Sequence, residues 1–501
     1  MLKKIRVALA IISILALTFC FLDFTGVAHQ WFGWLPKIQF LPAVLALNLA
    51  VVLGLIVLTL ILGRVYCSVI CPLGIMQDFF TWLRGKFKIN KKKKNRFFYA
   101  PEKRWIRIGV LAIFVITLAV PATHFLATLI APYSAYGRIV NSLLAPVYDC
   151  ANNMLADYSE AHDSYTFYQV SAVQVPAILR WIAVATLVLV GGTAFLAGRA
   201  YCNTVCPVGT ILGYLSKFSL LKPYIDVSKC NGCTKCARNC KAECIDPKAH
   251  RIDYSRCVAC MDCLDNCSTS AIRYGIPKKI VKNTESESRT PDAGRRAMIV
   301  GGLVVAGSSV AKAASEKLTD GGFSKLVTKE VPQGRKQVTP PGSLSVRNFR
   351  DHCTSCQLCI AACPNNVLRP STKLDTLMQP EMEFEQGYCR IECSKCSNVC
   401  PAGAIRPISP EERTAISVGV AKVDRYTCLS ASQGVQCGNC ARHCPAEAIV
   451  MTEIAGDDGK KVFLPVVNEG RCIGCGACEN LCPVNPISAI IVEGREIHKT
   501  V

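Results

Sequence analysis

The sequence is short of acid and of histidine: 36 Asp+Glu face 57 Lys+Arg, and only seven histidines occur in 501 residues. It has no Gly-x-Gly-x-x-Gly behind a strand-like run and no Walker-type lysine loop, which removes the common nucleotide-binding folds. Nothing resembles a catalytic triad or a molybdenum-enzyme domain, so the chain need not carry out terminal chemistry of its own. Long apolar runs are nearly confined to the part before residue 200, whereas nearly all 31 cysteines follow it. A disulfide scaffold is excluded, because such scaffolds are small secreted domains with scattered cysteines. Nucleic acid is excluded as the reason for the formal charge of +21, because the densest basic block lies between hydrophobic segments.

Four stretches are long and apolar enough to span about 30 Å of hydrocarbon, which takes about 20 helical residues: 7–22, 40–62, 108–129 and 175–195. Lys3, Lys4 and Arg6 precede the first, and residues 84–107 hold eleven Lys/Arg against the single acid Glu102. Residues 131–174 carry only Arg138, with Asp149, Asp157, Glu160 and Asp163. The positive-inside rule then puts the N-terminus and the 63–107 connection in the cytoplasm and 131–174 outside. The first segment shows no small-residue cleavage site before Asp23, so it reads as a retained span.

The helical part repeats itself. Gly63-Arg64-Val65-Tyr66-Cys67-Ser68-Val69-Ile70-Cys71-Pro72-Leu73-Gly74 returns 135 positions later as Gly198-Arg199-Ala200-Tyr201-Cys202-Asn203-Thr204-Val205-Cys206-Pro207-Val208-Gly209. Each copy follows a span that ends inside, which puts both Cys-x3-Cys-Pro units at the cytoplasmic surface. Cysteines at i and i+4 share a helix face, and the next proline stops or kinks that helix. Duplication would gather Cys67, Cys71, Cys202 and Cys206 about a pseudo-twofold axis. Four thiolates there suit one further Fe–S cluster; two redox-active dithiols are the other reading.

Beyond residue 220 the cysteines fall in the ferredoxin order Cys-x2-Cys-x2-Cys-x3-Cys, whose short gaps wrap the chain around a cubane while the fourth thiolate reaches the partner cluster. Cys230, Cys233, Cys236 and Cys240 have this spacing, as do Cys257, Cys260, Cys263 and Cys267, with Lys241 and Ser268 where proline usually follows. Cross-ligation groups Cys230, Cys233 and Cys236 with Cys267, and Cys257, Cys260 and Cys263 with Cys240. Four more quartets each precede a proline: Cys353, Cys356, Cys359 and Cys363; Cys389, Cys393, Cys396 and Cys400; Cys428, Cys437, Cys440 and Cys444; and Cys472, Cys475, Cys478 and Cys482. The second has one residue inserted in its first gap, and the third has an eight-residue first gap. Zinc takes four ligands, usually as two separated pairs, and does not explain this order. Six [4Fe–4S] clusters use 24 of the 31 cysteines and the two Cys-x3-Cys-Pro pairs four more, leaving Cys20, Cys150 and Cys244 without an assigned partner.

The expected fold is an α-helical membrane domain of four transmembrane helices with a two-fold internal repeat, joined to α+β ferredoxin-like 4Fe–4S modules. Its parts are a membrane domain at 1–221, a two-cluster module at 222–280, a basic linker at 281–345 and a four-cluster polyferredoxin domain at 346–501. At these motifs the chain resembles a fusion of two subunits of the Nap-type (periplasmic nitrate reductase) quinol dehydrogenase. Residues 1–280 resemble its membrane H subunit, though the same thiol motif occurs in the nitrous-oxide-reductase accessory flavoprotein family. Residues 294–490 resemble its four-cluster G subunit, whose family opens with a twin-arginine export signal. Here Arg295 and Arg296 stand inside the chain, ahead of a weakly apolar stretch at 297–310.

That resemblance implies a bacterial inner-membrane protein that oxidises quinol from the quinone pool. Electrons then pass to a terminal reductase or a cytochrome c partner, with no nucleic acid involved. His29 and His124, near the outer ends of the first and third spans, are the candidate catalytic bases, with Trp31, Trp34 and Arg138 close by; an imidazole there can take a quinol proton near neutral pH. The resemblance also implies that the outer two of the last four quartets pair, as do the inner two: Cys353, Cys356 and Cys359 with Cys482, and Cys389, Cys393 and Cys396 with Cys444; spacing alone also permits adjacent pairing, first with second and third with fourth. Residues 320–501 are expected in the periplasm, held by 297–310 as a fifth segment, and no motif bridges them to the cytoplasmic module. The alternatives are a ferredoxin-linked energy-converting subunit with cytoplasmic clusters, and an accessory or regulatory factor for a respiratory metalloenzyme.

Overall fold

The computed structural model describes residues 2–23, 25–87, 97–120, 123–164, 166–170, 173, 175–277, 319–320, 324–325, 328–455 and 461–501. The lysines at 91–94, the twin arginines and the expected fifth segment at 297–310 lie outside the described residues.

Two of the four expected spans are single helices: α1 (Leu2–Leu22) and, later, Ala177–Ala197, each of 21 residues and apolar enough to cross a membrane by length and composition. The other two are broken. After the short α2 (Val27–Phe32) and α3 (Trp34–Lys37), residues 40–62 divide into α4 (Phe40–Leu45) and α5 (Leu49–Leu62). Leu47 takes φ 51°, and the Asn48 side chain caps α5 by accepting from the Val51 N–H at 3.3 Å. The third stretch divides into α8 (Arg104–Ala119) and α9 (His124–Ile130), with Pro121 in the sequence between them. Proline lacks the N–H that would continue the first helix.

The repeats form matching elbows. The first is α6 (Tyr66–Val69) followed by α7 (Pro72–Lys86), and the second is α13 (Ala200–Thr204) followed by α14 (Pro207–Ser216), after α10 (Pro132–Ile139), α11 (Ala145–Glu160) and α12 (Ala177–Ala197). Here the structure corrects two expectations. Each proline starts a helix at its first position, where the missing N–H costs nothing, so the two cysteines of a pair sit on an elbow rather than on one helix face. The elbow is also internal. Helix α7 runs parallel to the second half of α12, with Phe80 on Gly191, the Thr81 hydroxyl 3.4 Å from the Ala194 carbonyl and an Arg84 N–H 2.6 Å from the Leu196 carbonyl. Cys71, at the opposite end of α7 from Arg84, therefore lies about 18 Å back along the bundle at helical rise. The thiols are buried within the bundle and not at its surface.

Residues 222–275 form a small module in which Lys222–Ile225 pairs antiparallel with Ile272–Gly275, and Ile245–Asp246 with Arg251–Ile252. It sits at the Leu2 end of α1, where Lys3 Nζ is 3.0 Å from Asp262. Asp78 gathers Arg6, Arg199 and Lys241 at the same end. Residues 328–501 hold three antiparallel pairs, two of them longer: Leu368–Pro370 with Pro380–Met382, Ile416–Val423 with Ile490–Thr500, and Ile449–Ala455 with Lys461–Val467. This domain sits at the other end of α1. Asn141 Nδ2 donates to Gln357 Oε1 at 3.2 Å, and Leu377 and Met378 pack on Val175 and Leu179 at the start of α12. At Gly137 a side chain would meet the Cys356 carbonyl at 2.3 Å, so only glycine lets α10 approach that loop. One buried core runs without interruption from Leu17 and Phe21 through Cys67 and Cys71 to Cys260 on one side and Cys356 on the other.

Candidate iron–sulfur sites

Five of the six ferredoxin-type loops share one local device. Thr234, Met261, Gln357, Gly438 and Gly476 take left-handed φ values of 58°, 63°, 65°, 67° and 81°, and each precedes a four-residue helix carrying the third cysteine: Cys236, Cys263, Cys359, Cys440 and Cys478. The turn reverses the chain after the second cysteine so that three thiols face one point. The inserted quartet is the exception: Ser394 has φ −115° before the helix Lys395–Val399 that carries Cys396.

The thiols group as follows. Cys257, Cys260 and Cys263 line one cavity with Cys240. Cys230, Cys233 and Cys236 form the more exposed group beside it. In the larger domain Cys428, Cys437 and Cys440 share a cavity with Cys482, and Cys472, Cys475 and Cys478 share one with Cys444. Cys400 stands within electrostatic range of Cys353, Cys356 and Cys359, and Cys363 is among the thiols facing Cys396 together with Cys389 and Cys393. Pairing is therefore between neighbouring quartets, first with second and third with fourth, which corrects the outer-with-outer expectation. The reason is chain reach: Cys400 closes on the first loop through the helix that begins at Lys395, and Cys482 closes on the third through the helix Ala477–Asn480. Cys244 also gains neighbours, its thiol 3.5 Å from that of Cys240 and hydrogen-bonded to that of Cys257.

The side chains around these groups fit an anionic cluster. Arg413 is fully buried, and its Nη2 donates to the Cys389 sulfur at 3.4 Å while Cys475 lies close by. Among the described residues no carboxylate lies within ion-pair distance of it. A buried charge without a counter-charge costs several kcal/mol, and bare thiols offer none: burial pushes Cys356, Cys440 and Cys475 up to about 11. Thiolates holding an iron–sulfur cluster would supply the missing negative charge.

The repeated thiols also converge. Cys206 stands within electrostatic range of Cys202, Cys71 and Cys67. Arg64 Nη2 lies 3.8 Å from the Cys67 sulfur and 3.3 Å from the Cys202 carbonyl; Arg199 Nη1 lies 3.9 Å from the Cys202 sulfur and 2.8 Å from the Cys67 carbonyl. Sequence reading missed these arginines, although both lie in the repeat itself, directly after Gly63 and Gly198. Cys20 is fully buried, and Cys150 is exposed on α11.

The two histidines both face the four-cluster domain. His29 lines a cavity of about 540 Å³ with Asp23, Trp34, Lys37, Ala362, Lys395 and Val399. Its Nδ1 is 3.7 Å from an Asp23 oxygen, and its Nε2 is buried without a hydrogen-bond partner. Burial lowers the imidazole pKa and outweighs the Asp23 carboxylate, which raises it. His124 lies beside Asp351 and His352, with neither ring nitrogen hydrogen-bonded. Trp31 is exposed, and Arg138 is buried against the Cys356 loop instead of the His29 cavity.

Comparison with known proteins divides the chain the same way. A family described as 4Fe-4S binding domain matches residues 44–90 and 178–224, and one described as 4Fe-4S dicluster domain matches 352–429 and 435–485. Each dicluster segment takes in or borders on two neighbouring quartets, as the observed pairing requires. The methylamine utilization ferredoxin-type protein MauM of Methylobacillus flagellatus is 35% identical over 164 residues, 32% of this chain and 68% of that protein. The ferredoxin-type protein NapF of Escherichia coli is 32% identical, over 30% of this chain and 84% of its own, and the ferredoxin-type protein NapG is 34% identical, over 29% and 66%. No solved structure matches.

Proposed function

This chain belongs to the ferredoxin-type 4Fe–4S proteins, and from that premise we propose that it is a membrane-bound electron carrier that oxidises quinol and feeds a terminal reductase. In this reading it joins an H-type membrane unit to a G-type four-cluster unit, as the fused motifs suggest. The six quartets supply the ligands of six [4Fe–4S] clusters, with Cys267 completing the group of Cys230, Cys233 and Cys236. When bound, the clusters supply one-electron redox chemistry; the chain's own residues set their order, their surroundings and the proton acceptor.

The observation that carries the proposal is the His29 cavity. It is walled on one side by α2 and α3 and on the other by Ala362, Lys395 and Val399, neighbours of Cys363, Cys396 and Cys400. A quinol held there has a neutral imidazole for its proton, backed by the Asp23 carboxylate, and thiol-bearing loops within one residue of the wall. Large apolar side chains face outward from the bundle, among them Trp105, Ile116, Trp181 and Leu189, as membrane helices require and as soluble proteins avoid in such number. The module at 222–275 docks at the basic N-terminal end of α1, which the positive-inside rule assigns to the cytoplasm; the four-cluster domain docks at the opposite end. That arrangement favours a periplasmic four-cluster domain over the cytoplasmic alternative.

The test is reduction of the purified, reconstituted protein by a soluble quinol, followed by bleaching of its iron–sulfur absorbance. Bleaching by quinol, lost in His29→Gln while dithionite still reduces both proteins, supports the reading. A protein reducible by dithionite and indifferent to every quinol would overturn the quinol step.

A further inference from the structure

We propose that Cys67, Cys71, Cys202 and Cys206 hold a single iron–sulfur cluster shared by the two repeats, and that this site joins the modules at 222–277 and 328–501 into one conduit along α1. The inference rests on the iron–sulfur reading above and goes beyond it in stoichiometry and in route.

Two thiols come from each elbow, and each repeat's arginine reaches the carbonyl of the other repeat's first cysteine. The site is thus built across the pseudo-twofold axis and not once in each repeat. Its charge is unbalanced. Arg64 is fully buried, and its partners are Asn203 Oδ1, the carbonyls of Ser255 and Cys202 and the Cys67 sulfur. Among the described residues it has no carboxylate partner. Arg199 has Asp78, but Asp78 is shared with Arg6 and Lys241. Arg64 Nε, Arg199 Nη2 and Gln77 Oε1 are buried without hydrogen-bond partners, while Gln77 Nε2 points at the Cys202 sulfur from 3.2 Å. A cationic, under-bonded shell around four thiols fits an anionic tetrathiolate centre.

Contacts lead away from the site in both directions. Toward 222–277, the Arg199 N–H donates to the Lys241 carbonyl at 2.7 Å, Arg64 Nη1 to the Ser255 carbonyl at 3.0 Å and Asn203 Nδ2 to the Ala242 carbonyl at 3.3 Å. These acceptors flank Cys240 and Cys257, thiols of the nearest group. Toward 328–501, Tyr201 stands within electrostatic range of Cys206 and Arg138, and Arg138 within range of Tyr201 and Cys356. Tyr133, its hydroxyl buried and unpartnered, faces Cys356, Cys359 and Cys400. One electron enters such a site and one leaves, with no bond made or broken. A dithiol would instead move two electrons and two protons in a closed interior between one-electron neighbours.

Two measurements on the full-length, anaerobically purified protein test this. Iron should number about 28 atoms per chain rather than about 24, and Cys67→Ser and Cys206→Ser should each remove about four and abolish the same paramagnetic signal. The remaining 24 or so atoms report that each variant is folded and that the ferredoxin-type clusters stand. In vesicles with ferricyanide inside and dithionite outside, wild-type protein should carry electrons across, and either variant should fall to the leak rate of protein-free vesicles. A wild-type count of about 24 with four alkylatable thiols overturns the shared cluster and leaves the six-cluster reading intact. Additive losses in the double variant overturn sharing between repeats. Crossing that survives in both variants overturns the conduit.

Discussion

The modules at the two ends of α1 hold similar loops by different means. The 222–277 module is little more than two loops and four short strands, and it is fixed to the bundle by charge. Asp78, Lys241, Asp262 and Lys3 form a continuous ion-pair chain, with Arg6 and Arg199 on the same carboxylate. The 328–501 domain has its own apolar interior, including Phe349, Phe384, Val418 and Val492, and its own buried pair, Arg335 with Glu479 at 3.0 Å. It meets the bundle by packing: Gly137 lies against the Cys356 carbonyl, Asn141 pairs with Gln357, and buried apolar side chains continue from one into the other. A small domain cannot bury enough surface to hold itself, so it borrows the bundle's charges; a large one with its own core docks by packing.

The largest expected effect breaks the charged end. Asp78→Ala strands Arg199 as a buried, uncompensated cation and leaves Lys241 with Asp262 alone; it should cost about 3–5 kcal/mol, read as a lowered melting temperature in detergent with early loss of the 222–277 clusters. Next comes His29, the proposed proton acceptor at the other end. His29→Gln should slow quinol-dependent cluster reduction by about 100-fold. The wild-type rate should rise with pH as the imidazole deprotonates, with the midpoint of the rise below the ordinary histidine value of about 6.5, because burial depresses that pKa. The variant should lose this pH step. Pairing is sharpened by Cys400→Ser, which should perturb the spectrum of the cluster at Cys353, Cys356 and Cys359 and not that at Cys389, Cys393 and Cys396. The apolar docking of the larger domain predicts that Leu377→Ala costs about 2 kcal/mol and chiefly raises the protease sensitivity of the interface. Smallest of all, Arg347→Ala removes an exposed pair with Asp351 at 3.9 Å and should shift stability by less than about 0.5 kcal/mol.

Local spacing was enough for much of this. The quartets announce their loops because a cubane demands short gaps, and Cys240 with Cys257, Cys260 and Cys263 was readable because the fourth cysteine always belongs to the neighbouring loop. Which loop is the neighbour was not readable among the last four quartets. The path from Cys400 back to Cys353 depends on how 368–382 folds between them, and the spacing is equally compatible with a partner at Cys482. The apolar runs announced helices, but the break at Leu47 and Asn48 depends on a left-handed residue and a cap inside an otherwise continuous pattern.

The sequence by itself determined that this protein carries ferredoxin-type cysteine loops beside a duplicated helical unit, because ligand spacing and apolar length are properties of neighbouring residues. Only the tertiary structure decided that the two Cys-x3-Cys-Pro elbows turn into the bundle and that Arg64 and Arg199 cross between them. It alone put the two modules at opposite ends of α1 with a continuous buried core between. Those facts belong to residues some 135 positions apart, and they are set by packing and by where buried charge finds a partner.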